Sequence, residues 1–259
     1  MKARLEKLAM RTALTKTRAE IVSQKLLSCP EPVSIEAAMI SPKTFRFLSD
    51  LKKNNDRAWF QDNKDRYLEA KAEFEDLVAD LIGRIGAFDP AVKGVDPKKC
   101  VFRINRDTRF AKDKSPYKTN LGAHLGSSEN KFHNRAGYYI HLEPGASFLA
   151  GGAYMPSPEW LKAIRGSIDR DGGELKRILA SAGFKKIFGT MEGEQLKKAP
   201  QGFRPDHLYV DLLKYKSFLA MHKVKDKEIQ SPDFAKQAGA VFKALQPFDR
   251  FLNEALEPD

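Results

Sequence analysis

Tyr138-Tyr139-Ile140-His141-Leu142-Glu143-Pro144-Gly145-Ala146-Ser147-Phe148-Leu149-Ala150-Gly151-Gly152-Ala153-Tyr154 reads as two strands joined by a turn. Successive side chains of a strand point to opposite faces. Tyr138, Ile140 and Leu142 therefore share one face, and Tyr139, His141 and Glu143 share the other. Glu143-Pro144-Gly145 supplies the turn residues that close an antiparallel hairpin. Upstream, residues 121–125 alternate in the same way, with Leu121, Ala123 and Leu125 opposite Asn120 and His124, and residues 101–105 read as a further short strand.

Both flanks of this run carry helical periodicity. Ser41-Pro42 is a helix start, and Phe45, Leu48 and Leu51 follow before Asn54-Asn55 closes it. A longer helix is expected from Asp56 onward, with Phe74, Leu77, Val78, Leu81, Ile82 and Ile85 as its buried stripe and residues 86–90 as its end. Ser157-Pro158 and Ser231-Pro232 repeat the start signal ahead of Trp160, Leu161, Ile164 and Ile168, and of Phe234, Ala238, Val241, Phe242 and Leu245. Leu175, Ile178 and Leu179 mark a short helix ended by Gly183, and Asp206 is placed to cap one carrying Leu208, Leu212 and Leu213. The expectation is an α+β fold: an antiparallel sheet in the central region packed against N-terminal and C-terminal helices.

The 259 residues hold 45 Lys and Arg against 34 Asp and Glu, a net charge of +11. The excess is local. Residues 1–25 hold seven bases and two acids, and residues 98–120 hold eight bases and two acids. Residues 1–38 read as a basic extension, either flexible or preceding a true start at Met39, and 39–259 as one α+β domain. No run of apolar residues is long enough to span a bilayer, so no integral membrane role is expected. Two cysteines, Cys29 and Cys100, without a CxxC pair exclude a disulfide scaffold and fit a reducing, cytoplasmic setting.

The run Phe102-Arg-Ile-Asn-Arg-Asp107-Thr-Arg-Phe-Ala-Lys-Asp-Lys114-Ser-Pro-Tyr-Lys-Thr119 closely resembles the central signature of the DUF2461 family of mostly bacterial proteins. Phe47-Leu48 through Trp59-Phe60, Gly137 through Gly145 with Gly151-Gly152, and Leu196 through Phe203 leading to Leu212-Leu213-Lys214 are similar in the same order. The resemblance spans residues 41–254 and leaves out the extension. It implies a single domain and carries no particular activity with it.

Function is therefore argued from the residues. Arg103, Arg106 and Arg109 recur every third position, followed by Lys112, Lys114 and Lys118, with Asp107 and Asp113 among them. Arginine forks and lysine ammonium groups suit carboxylate or phosphate. The leading expectation is a pocket for a small anionic ligand, phosphorylated compounds included, formed by Arg103, Asn105, Arg106, Asp107, Arg109, Lys114, Tyr117, Lys118 and Tyr139. Alternation places Arg103, Asn105, Asn120, His124, Tyr139 and His141 on one polar floor, with His124 or His141 available for acid–base work. Two other readings stay open. The same stripe can track the phosphates of a nucleic acid, or it can be an arginine staple inside a structural domain. No P-loop, dinucleotide fingerprint or nucleophile elbow is present, so no cofactor is assigned. His124, His133 and His141, spaced by nine and eight, match no metal motif, and no metal site is assigned.

Overall fold

Proline at the first helical position costs no hydrogen bond, and Pro42 opens α1 (Pro42–Lys53) in that way. The cap comes from elsewhere, however. Glu73 Oε2 accepts from the Ser41 backbone N–H at 3.0 Å and from the Thr44 hydroxyl at 2.6 Å, while the Ser41 hydroxyl is buried without a hydrogen-bond partner. This computed structural model describes residues 39–126 and 134–256, so the expected extension over 1–38, with Cys29, and His133 lie outside them.

The helix expected from Asp56 is two helices. Asp56 caps α2 (Arg57–Asp62), accepting from the Trp59 N–H at 2.9 Å, and the chain breaks at Asn63 before α3 (Lys64–Gly86). Asn63 makes the break by returning its side-chain amide to Trp59 O at 2.9 Å, a local alternative to continued helix. All six expected stripe residues of α3 are buried. A single 3₁₀ turn (Pro90–Val92) and α4 (Pro97–Cys100) then lead to the sheet.

The sheet has four antiparallel strands in the order β1 (Leu121–Leu125), β2 (Gly137–Leu142), β3 (Phe148–Ala153) and β4 (Phe218–Lys223). Tyr138 pairs with Leu125 and Ile140 with Ala123, so the expected apolar faces coincide. Helices cover that side: Phe242 meets the Tyr138 ring at 5.3 Å, and Leu245 lies against Gly151. The helices come from both ends of the chain, α3 and α9 (Phe234–Glu254), as the α+β reading requires. Among the described residues, no helix is long and apolar enough to cross a membrane.

Several local expectations are corrected. Residues 101–105 form no strand; they touch their neighbours through isolated bridges at Val101 and Asn105, because the chain turns away at Ile104 to bury that side chain. β4 escaped notice because Phe218, Leu219, Ala220 and Met221 are apolar in succession and show no period of two. α5 (Pro158–Ala180) begins at Ser157 as expected and kinks at Asp171, where φ is −146° and ψ is 66°. Gly183 lies inside α6 (Ala182–Phe188), whose cap is Ser181, and ends nothing. Asp206 holds Arg204 at 2.6 Å and caps no helix; Tyr209 precedes α7 (Val210–Leu213), and Leu208 is exposed. α8 (Asp226–Ile229) follows β4, and Asp233, not Ser231, occupies the cap position of α9.

Candidate functional site

The basic run is a braced loop. Its stems pair where Lys118 N–H donates to Ile104 O at 2.8 Å and Arg106 N–H donates to Pro116 O at 2.9 Å. The Asn55 side chain clamps the outer stem, accepting from Tyr117 N–H at 3.1 Å and donating to Tyr117 O at 3.0 Å. The Tyr117 ring is buried and stacks on Phe60 at 4.0 Å, so it anchors the loop in the core. Within the loop, Arg106 binds Asp113, whose carboxyl also accepts from the Ser115 hydroxyl and N–H. These hydrogen bonds, Ser115 first, hold the Asp113 carboxyl well below the usual range. Arg109 grips Asp107 through two bonds of 3.0 and 2.7 Å, and Lys114 Nζ donates to Thr108 O at 2.9 Å. Phe110, at the tip, is 95 % exposed.

Arg103 and Lys118 behave differently. Neither forms an ion pair with an acid among the described residues, and Asp107, whose carboxyl also feels Arg103, is engaged by Arg109. Burial, and then the Arg103 charge, press the Lys118 pKa below its ordinary value. Its Nζ lies 5.4 Å from the centre of the Phe102 ring. Beside it opens a 410 Å³ cavity whose lining includes Lys52, Arg106, Asp113, Lys118, Thr119 and Asn120.

The sheet face turned away from the helices carries His124, Tyr139 and His141. Register places His124 opposite Tyr139 and Gly122 opposite His141. Tyr139 Oη hydrogen-bonds His141 Nδ1 at 3.0 Å, and His141 Nε2 bonds Glu143 Oε2 at 3.2 Å. Thr119 and Lys52, both on the cavity wall, reach Glu143 Oε1 at 3.3 and 3.5 Å. The His141 ring lies flat on Phe148, 4.5 Å between centres. Burial pushes the Tyr139 hydroxyl up to about 12, so the phenol keeps its proton at neutral pH. A side chain at Gly122 would strike that hydroxyl at 2.7 Å.

His124 sits under Gly126 and Gly137, where a Cβ would meet its ring at 2.7 and 3.0 Å. Burial lowers its pKa to about 4, so it is neutral in the fold well below its unfolded value. The folded form thus resists protonation, and stability is lost as pH falls from about 6.5 through about 4. Urea titrations should show wild type gaining about 3 kcal/mol over His124→Gln between those limits. A difference between the two proteins that stays constant with pH would contradict this.

The expected polar floor is thus assembled in part. His124, Tyr139 and His141 share it, and Asn120 lines the adjoining cavity. Phe102, not Arg103, stands next to Tyr139, at 6.2 Å between rings, because Val101 pairs with Ala123 of the apolar face and the next residue points to the other side. Asn105 bridges to Tyr117 at the loop stem, while Arg109 and Lys114 are spent within the loop. Glu143, Lys52, Asn55 and Thr119 were missed as site residues. Glu143 had a signal, since it continues the alternation of Tyr139 and His141. Lys52, in the last turn of α1, and Asn55, just after that helix, had none. Among the described residues, no group of three His, Cys, Asp or Glu side chains is placed to hold a metal ion.

No curated protein and no solved structure matches the chain. A family model does, and the braced loop, the cavity and the Tyr139–His141–Glu143 strand all fall within it. It covers residues 43–251 and is described as a conserved hypothetical protein, and the chain belongs to that family, DUF2461.

Proposed function

We propose that Arg103 and Lys118 seat a small anionic, phosphate-bearing ligand beside the cavity bounded by Lys52, Arg106 and Asn120. The observation that carries this reading is the contrast within one loop. Arg106 and Arg109 are ion-paired with Asp113 and Asp107, whereas Lys118 feels the Arg103 charge and neither of these two forms an ion pair among the described residues. Two adjacent cations repel, and an anion between them relieves both that repulsion and the cost of burying the ammonium. Arg103 offers a planar fork for two oxygens, and Lys118 a single point charge.

Thermal shift with inorganic phosphate, phosphorylated metabolites, dicarboxylates and short oligonucleotides tests it. A ligand at 100 times its dissociation constant stabilises by about 2.7 kcal/mol, several degrees for a domain of this size. The shift is expected with a small phosphorylated compound and should vanish in Arg103→Gln/Lys118→Gln. No shift with any anion, or an equal shift in the double variant, overturns the reading. Phe110 supports a second reading: a bare ring beside Arg109 on a basic loop can stack on an unpaired base. Oligonucleotide binding that falls steeply with salt and is lost in Phe110→Ser would favour that alternative.

A further inference from the structure

We propose that Tyr139, His141 and Glu143 form an acid–base relay in which the Tyr139 hydroxyl is the group that acts on the bound ligand. This rests on the anion seat just described and adds a chemical step to it. The three residues are alternate positions of one strand and its end, so a single rigid element aligns them.

The hydrogen bonds fix the direction of the relay. An ionised Glu143 can only accept, so His141 Nε2 carries the proton of that 3.2 Å bond. Nδ1 of the neutral ring is then an acceptor, and the Tyr139 hydroxyl donates to it across 3.0 Å. When Tyr139 Oη takes a proton from the ligand it passes its own to His141 Nδ1. The outcome is a deprotonated ligand, an intact phenol and an imidazolium beside the Glu143 carboxylate. The reverse transfer restores the start, and no other reactant is needed. Tyr139 is the catalytic residue of this scheme; His141 and Glu143 are positioning residues.

Three features argue against a merely structural chain. Gly122 leaves open the space that any side chain would take from the Tyr139 hydroxyl. Thr119 and Lys52 occupy only Glu143 Oε1, which keeps Oε2 aimed at His141. Phe102 is a common neighbour of the two: its ring centre lies 6.2 Å from that of Tyr139 and 5.4 Å from Lys118 Nζ.

An anionic aryl sulfonyl fluoride, 4-carboxybenzenesulfonyl fluoride, reads out the relay in the full chain. The phenol oxygen bonds sulfur, the sulfur–fluorine bond breaks, fluoride leaves and the proton goes to His141. Peptide mapping should find the adduct on Tyr139 in preference to the more exposed Tyr154, which is 55 % exposed. Replacing His141 by Ala or Glu143 by Gln should slow labelling at least ten-fold, and imidazole should rescue His141→Ala. Adduct formation on Tyr154 alone, or a Tyr139 rate indifferent to both variants at unchanged melting temperature, overturns the relay. Inorganic phosphate separates the two claims. Relay-dependent labelling that phosphate neither slows nor accompanies with a thermal shift keeps the relay and sinks the anion seat. Phosphate stabilisation without Tyr139 labelling does the opposite.

Discussion

Gly152→Ala is expected to cost about 4 kcal/mol or more, a large share of the roughly 5–15 kcal/mol that holds a typical domain together. Gly152 has φ +111°, a region that L side chains rarely adopt, one residue before the end of β3. An added Cβ would lie 2.0 Å from Phe218 O on β4 and 2.9 Å from Phe248 of α9. Neither neighbour can yield cheaply. Phe218 is held in the β3–β4 ladder opposite Ala153, and Phe248 is fully buried. Gly145→Ala provides the control. Gly145 also has positive φ, +73°, but nothing lies within 4 Å of its Cβ position. That variant isolates the backbone cost of about 1 kcal/mol. Urea unfolding of both proteins measures the contrast; equal midpoints would show that the close packing of β3 against β4 and α9 is wrong.

Asp249 should give the fold a pH dependence opposite in sign to that of His124. Its carboxyl is 2 % exposed on α9, packed against Gly151, and makes no side-chain hydrogen bond. Burial, and then the Asp89 charge, hold its pKa well above the ordinary value, with only the Gly152 backbone opposing. A carboxyl whose pKa is raised by folding stabilises fully below the unfolded value and loses that contribution as pH rises through the folded one. Wild type should therefore lose stability relative to Asp249→Asn by about 1.4 kcal/mol per pH unit from roughly pH 4 upward. His124 contributes the opposite slope between about 4 and 6.5, so wild type is nearly flat there and each single variant reveals the other's slope. Asp249→Asn that tracks wild type at every pH would place an ionised carboxylate in the core. The Asp89 carboxylate beside it is engaged by the Tyr138 hydroxyl at 2.8 Å, leaving that bond unable to serve Asp249.

The sheet was legible where one of its faces is buried. Leu121, Ala123 and Leu125 alternate with Gly122 and His124 because helices cover only one side of β1, and the same holds for Tyr138, Ile140 and Leu142. β4 was not, because apolar residues occupy both of its faces. Helix starts written as Ser-Pro were real at residues 41 and 157; at 231 the same letters precede a helix that begins two residues after the proline. The site was legible to the same depth. Tyr139 and His141 follow from alternation, and the basic run from composition. Which cations the loop neutralises internally depends on how it folds back on itself, through Asp113, Ser115 and Thr108. Spacing along the chain carries no record of that folding, nor of Lys52 and Asn55 arriving from the end of α1 and the turn that follows it.

Lys118 is half-buried and feels the Arg103 charge, and the proposed anion seat depends on that pair. Observing the Lys118 side chain directly by NMR of ¹³C-lysine protein, with and without inorganic phosphate, tests it. In the free protein Lys118 should titrate below the ordinary 10.5, through burial and the Arg103 charge. Phosphate should raise that value, because an adjacent anion favours the ammonium, and Arg103→Gln should also raise it while removing the response to phosphate. A Lys118 that titrates as a free lysine and ignores phosphate would contradict the account.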